Sequence, residues 1–153
     1  MELRIKKETA RKIYAGAPDS LKEILVETFG RECFQKRKYD EIKTFEDACD
    51  ELGLTQEDLL NIRNADTPDE VAYKKLKVVI KAINQGWIPD YNDTGQCKWW
   101  PYFNLSSGFG FSTSGYTYVG TDAAVGSRLC FESEEKASYT AKQFIDLYKA
   151  FLT

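Results

Sequence analysis

Four cysteines, a scatter of aspartates around one arginine, and three lysines on one helical stretch are the residues whose types could support chemistry in this chain. Cys33, Cys49, Cys97 and Cys130 lie 16, 48 and 33 positions apart, with no CxxC pair. Structural zinc sites usually contain such a close pair, so a four-cysteine site would have to be assembled by folding alone. The simpler reading is four independent, mostly buried thiols in a reducing compartment. The chain contains no histidine. Serine–histidine and cysteine–histidine nucleophilic mechanisms are thereby excluded, as are histidine-ligated metal centres. Catalysis would have to use carboxylates, lysine, tyrosine or thiolate, and no catalytic motif built from these is recognisable. No cofactor or metal is expected, and a non-enzymatic role is favoured.

Two stretches look like ligand loops and fail at named positions. Asp90-Tyr91-Asn92-Asp93-Thr94-Gly95 begins as a calcium loop does, but its fifth position is a threonine, a weak ligand. The twelfth position, where a bidentate glutamate closes the coordination sphere, is Pro101. Asp and Asn beside Gly are ordinary turn residues, and the stretch is read as a turn. SGFGFSTSG at 107–115 looks like a phosphate cradle but lacks the GK[ST] ending and a helix directly after it. Glycines alternating with Phe109 and Phe111 fit a strand better. Arg128 is the one cation between Trp99 and Phe131. In an apolar strand it is expected to bury its stem and pair its fork with Asp122, Glu132 or Asp93; binding a ligand anion is the alternative.

Lys74, Lys77 and Lys81 share a helical face opposite Ala72, Leu76, Val79 and Ile83. The stripe is either the solvated side of an amphipathic helix or a phosphate contact. With a net charge of −3 and no second basic cluster nearby, nucleic acid is an unfavoured partner. The aromatic residues are the stronger candidate. Trp99, Trp100, Tyr102, Phe103, Phe109, Phe111, Tyr116 and Tyr118 crowd a 23-residue stretch, 99–121, without a single charge. Strand alternation sends Trp99 with Phe103 to one face and Trp100 with Tyr102 to the other. Phe109 and Phe111 share a face, as do Tyr116 and Tyr118. One face must pack on helices. The other is either covered too, or exposed as a surface for a protein partner or a second copy.

The elements that position these groups follow charge. Residues 1–85 hold 33 of the 45 charged side chains, residues 87–131 only five, and residues 132–153 seven. The first zone reads as helices. Pro18 opens one with Leu21, Ile24, Leu25, Thr28 and Phe29 on a common face, and Gly30 closes it. Thr44 and Asp47 form a variant capping box for a helix through Leu52, ended by Gly53. Thr55 begins another, with Glu57 and Asp58 in its first turn. Thr67, Pro68 and Glu70 start the longest helix, which Gly86 ends. Four short segments then read as three or four antiparallel strands: Lys98–Leu105, Gly108–Thr113, Gly115–Val119 and Ser127–Phe131. Ser133 caps a final helix carrying Ala137, Ala141, Phe144, Ile145, Tyr148, Phe151 and Leu152 at helical spacing, the natural cover for the sheet.

The expected fold class is α+β: a helical region over 1–66, then a core over 67–153 of helix, small antiparallel sheet and C-terminal amphipathic helix, or one domain of both. IKTFEDACDELG at 42–53, YKKLKVVIKAINQGWIPDY at 73–91, KWWPYFNLSSGFGFS at 98–112 and VGSRLCFESEEKASYTAKQFIDLYKAFL at 125–152 resemble a family of small uncharacterised proteins of gut Bacteroidales and their phages or integrated elements. No activity, cofactor or catalytic residue is assigned to that family. The resemblance implies a setting, a mobile element or host interaction inside a bacterium. No run of about 18 apolar residues exists, so no membrane span is expected. The N-terminus MELRIKKETARK lacks the apolar stretch of a signal peptide, so a cytoplasmic location is expected.

The sequence favours an interaction module that binds a protein partner or itself through the aromatic β face, with Arg128 beside it. Single-stranded nucleic-acid binding by the lysine face and stacking rings is an alternative. So is a small-ligand or anion-binding protein that uses Arg128 with Asp90, Asp93 and Asp122.

Overall fold

Local capping chemistry sets both ends of one helix in the N-terminal half and the C-terminal end of another. The computed structural model describes residues 5–55, 57–64, 67–105, 108, 110–117 and 127–153. Helix α1 spans Lys7–Tyr14 and α2 spans Asp19–Phe29. Gly30 closes α2 at φ 81°, its N–H bonding the Val26 carbonyl. Leu25 is buried, but its neighbour Ile24, expected on the same face, is 58% exposed. Adjacent helical residues point about 100° apart, and α2 buries only a narrow stripe against α1 and the 3-10 turn Arg31–Phe34.

Helix α3 (Phe45–Leu52) starts on the expected capping box. Thr44 Oγ1 accepts the Asp47 N–H at 3.0 Å, and Asp47 Oδ2 accepts the Thr44 N–H at 3.0 Å. Gly53 ends it in the left-handed region at φ 62°, where a side chain would also press on Lys12 at 3.3 Å. Helix α4 (Leu60–Arg63) begins later than expected. Asp58 does accept the Thr55 N–H at 2.7 Å, and Lys12 Nζ at 2.6 Å, but the turn that follows closes with i to i+3 bonds, Leu60 N–H to the Glu57 carbonyl at 3.1 Å and Ile62 N–H to that of Leu59 at 3.0 Å.

Helix α5 (Pro68–Asn84) is the centre of the molecule. It begins after an extended Thr67 that makes no side-chain cap bond, and it ends before Gln85 and Gly86, at φ 54° and 98°. Ala72, Leu76, Val79 and Ile83 are buried, as the periodicity requires. Around them one core gathers Ile42 and Ala48 from before α5 with Leu129, Phe131, Ala137, Phe144 and Tyr148 from after it.

The sheet is smaller than expected. Strand β1 (Lys98–Asn104) pairs antiparallel with β2 (Gly110–Thr117), with a register shift between Tyr102 and Phe103. The second and third expected strands are one: β2 runs unbroken through Ser114 and Gly115, the latter opposite Trp100. The fourth is a 3-10 turn, Ser127–Leu129, followed by a single bridge in which Trp99 and Phe131 exchange N–H···O bonds of 3.0 and 2.9 Å. Backbone groups alternate direction along a strand, so Pro101 faces the same edge as Trp99 and has no N–H to extend the bridge, and the segment it would meet has already turned into the 3-10 turn. On the opposite edge of the 130–132 segment the buried Asn84 amide donates to Cys130 O at 2.9 Å and accepts from Glu132 N at 3.3 Å, tying that segment to α5. The described fold is α+β, with a two-stranded hairpin and one bridging residue in place of three or four strands.

The final helix is two. Ser133 caps α6 (Glu134–Gln143), and α7 (Ile145–Leu152) follows a break at Phe144, φ −114° and ψ 32°. The Thr140 hydroxyl bonds the Lys136 carbonyl at 2.7 Å, one turn before the break, a bond that bends helices. The break lets α6 cover the hairpin while α7 packs along α5.

Candidate functional site

Strand β1 sorts its side chains by alternation. Trp99 and Phe103 turn inward and pack on the core, with the Phe103 ring 4.8 Å from that of Tyr148. Trp100 is half-buried on the opposite side. Tyr102 is 55% exposed and Leu105, just past the strand, 59%. Phe111 and Tyr116 pair in register with Phe103 and Trp99. Phe109, Tyr118 and Asp122 lie outside the described residues. Helix α6 is the element that packs on both strands, and it takes the Trp99–Phe103 side.

Arg128 pairs with neither Glu132 nor Asp93, and Asp122, the third expected partner, lies outside the described residues. It sits exposed in the 3-10 turn and makes no ion pair with a described residue. Glu132, one expected partner, is bonded to Lys136 Nζ at 2.6 Å instead. Asp93, another, accepts the Gly95 N–H at 2.8 Å, and Asp90 accepts that of Asn92 at 2.8 Å. These are two Asx turns on exposed chain, which use each carboxylate to shape its own loop. They do not converge on Arg128. Among the described residues no cluster of three or more cysteine or acidic groups could hold a metal.

The cysteines are separate free thiols, Cys97 half-buried and the other three buried. Burial, reinforced by Glu46 and Asp50, pushes the Cys49 thiol up to about 11. Burial also raises Cys130, although the Tyr91 hydroxyl and Lys98 pull the other way. Both remain protonated at neutral pH and are poor nucleophiles.

Sequence reasoning missed a buried polar cluster. Lys98 is completely buried at the start of β1, its Nζ donating to the Gln96 carbonyl at 3.1 Å and lying 5.2 Å from the Tyr91 ring centre. Tyr91 Oη in turn stands 3.8 Å from Cys130 Sγ. Nothing in a single lysine before two tryptophans signals burial, because the carbonyl and ring that solvate it come from the preceding turn. The cluster holds the hairpin base against the 130–132 segment.

Lys74, Lys77 and Lys81 lie on α5, away from the hairpin rings. Lys74 donates to the Asn61 carbonyl at 2.9 Å and Lys77 lies over the Tyr73 ring. No helix among the described residues is long and apolar enough to cross a membrane. Comparison with protein-family models, with curated proteins and with solved structures found no match for this chain.

Proposed function

We propose that this chain is a non-enzymatic interaction module that docks a protein partner on the outer face of the β1–β2 hairpin. One observation carries the reading: β1 commits Trp99 and Phe103 to the core while leaving Tyr102 and Leu105 largely in solvent. Exposed rings beside uncharged backbone are costly for a monomer to display and are characteristic of contact surfaces. Trp100 lies on the same side as Tyr102 and supplies a further anchor of the type that dominates binding energy. The setting we propose, from the resemblance, is the cytoplasm of a bacterial host carrying the encoding phage or integrated element.

Alanine at Trp100 and Tyr102 tests it. Both variants are expected to keep the wild-type melting transition and to lose the complex seen by sedimentation, whether with a host protein or with a second copy. If they only unfold the chain, the rings are core and the reading falls.

A further inference from the structure

We infer that the cleft between α5 and residues 52–54 and 58–62 binds a small amphipathic carboxylate, with its apolar body on a leucine floor and its head among Lys74, Lys77 and Lys81. The cleft is distinct from the hairpin face. It encloses about 340 Å³, and Leu52, Leu59, Ile62 and Val78 are among its lining residues. At roughly 30 Å³ per non-hydrogen atom, that space suits a ligand of about a dozen such atoms.

Charge selects the ligand's sign. None of the three lysines is paired with a carboxylate of a described residue, although the whole chain is acidic. Lys74 is steadied across the cleft by its bond to the Asn61 carbonyl, which leaves two of its ammonium protons free. The one acid in the lining, Asp58, is already satisfied. Its carboxylate takes Lys12 Nζ at 2.6 Å and both the N–H and hydroxyl of Thr55 at 2.7 and 2.6 Å. Among the described residues, the cleft therefore presents three lysines without a carboxylate partner around an apolar floor. A nucleic acid would use the cations but not the floor, and a neutral lipid would use the floor but not the cations. An acyl or aryl carboxylate uses both.

Titrating the full chain with decanoate, followed by backbone amide NMR shifts, tests this. Decanoate should shift the amides of Leu59, Val78 and Lys81 saturably, while decanol and inorganic phosphate bind much more weakly. Lys77→Glu and Lys81→Glu, both at exposed positions, should each weaken decanoate binding about tenfold, the scale of one charge-assisted bond. Their melting transitions should match the wild type. Four results would each overturn the inference: no saturable shift up to about 1 mM decanoate, decanol or phosphate binding as tightly as decanoate, a single-stranded oligothymidylate shifting the same amides at lower concentration, or glutamate variants that bind decanoate like the wild type.

Discussion

Tyr148 illustrates what a single side chain contributes and where it falls short. Its ring is buried against Phe103, yet its hydroxyl finds no hydrogen-bond partner among the described residues, and burial pushes that hydroxyl's pKa far above its ordinary value. A buried, unpaired hydroxyl costs free energy that its removal recovers. Tyr148→Phe is therefore expected to leave the fold unchanged and raise stability by about 1 kcal/mol, read by urea denaturation. A loss would mean that the hydroxyl is bonded. The thiols make a second residue-scale prediction. In native protein at pH 8, a disulfide reagent should modify Cys97 first, with Cys49 and Cys130 reacting only as the fold opens. Mass mapping of the labelled peptides checks the order.

At the scale of elements, the capping box of α3 ties a local motif to stability. Burial alone would raise the Asp47 pKa above its ordinary 3.8, but bonds from Thr44 and Lys43 and the nearby Arg37 guanidinium outweigh it and leave the carboxyl lowered. A carboxyl lowered by folding stabilises the folded state above its unfolded pKa, and that contribution is lost as pH falls through 3.8 toward the folded value. Asp47→Asn should accordingly flatten the acid side of the stability profile, measured by melting at a series of pH values. Thr44→Ala should cost about 1 kcal/mol at neutral pH. This box, the Gly30 and Gly53 ends and the buried stripe of α5 were legible in the sequence because their signals lie within a few residues of each other. The merging of two expected strands into β2 was not, since serine and glycine at 114–115 read as a turn until paired with Pro101 and Trp100. Nor was the reduction of 127–131 to one bridge, which follows from the 3-10 turn that Ser127–Leu129 forms in place of a strand. The inward turn of Trp99 and Phe103 followed from alternation, but whether Tyr102 reached solvent depended on where α6 packed.

Across the whole molecule, charge and apolar surface are segregated. The acidic and basic residues concentrate on the helices before β1, while the hairpin stretch 99–121 carries none. Two surfaces of different character result, an uncharged ring face and a lysine-rimmed cleft. Their salt responses should differ: partner binding at the hairpin face should change little between low and physiological salt, whereas carboxylate binding in the cleft should weaken as salt screens the ammoniums. The most direct measurement of the central claim is photocrosslinking from position 102. With a benzophenone amino acid replacing Tyr102, irradiation in a bacterial host should yield one discrete adduct, to a host protein or to a second copy, that is missing when the same group replaces the exposed Ile24. No adduct at 102, or the same adducts from both positions, would contradict the assignment of the hairpin face as the binding surface.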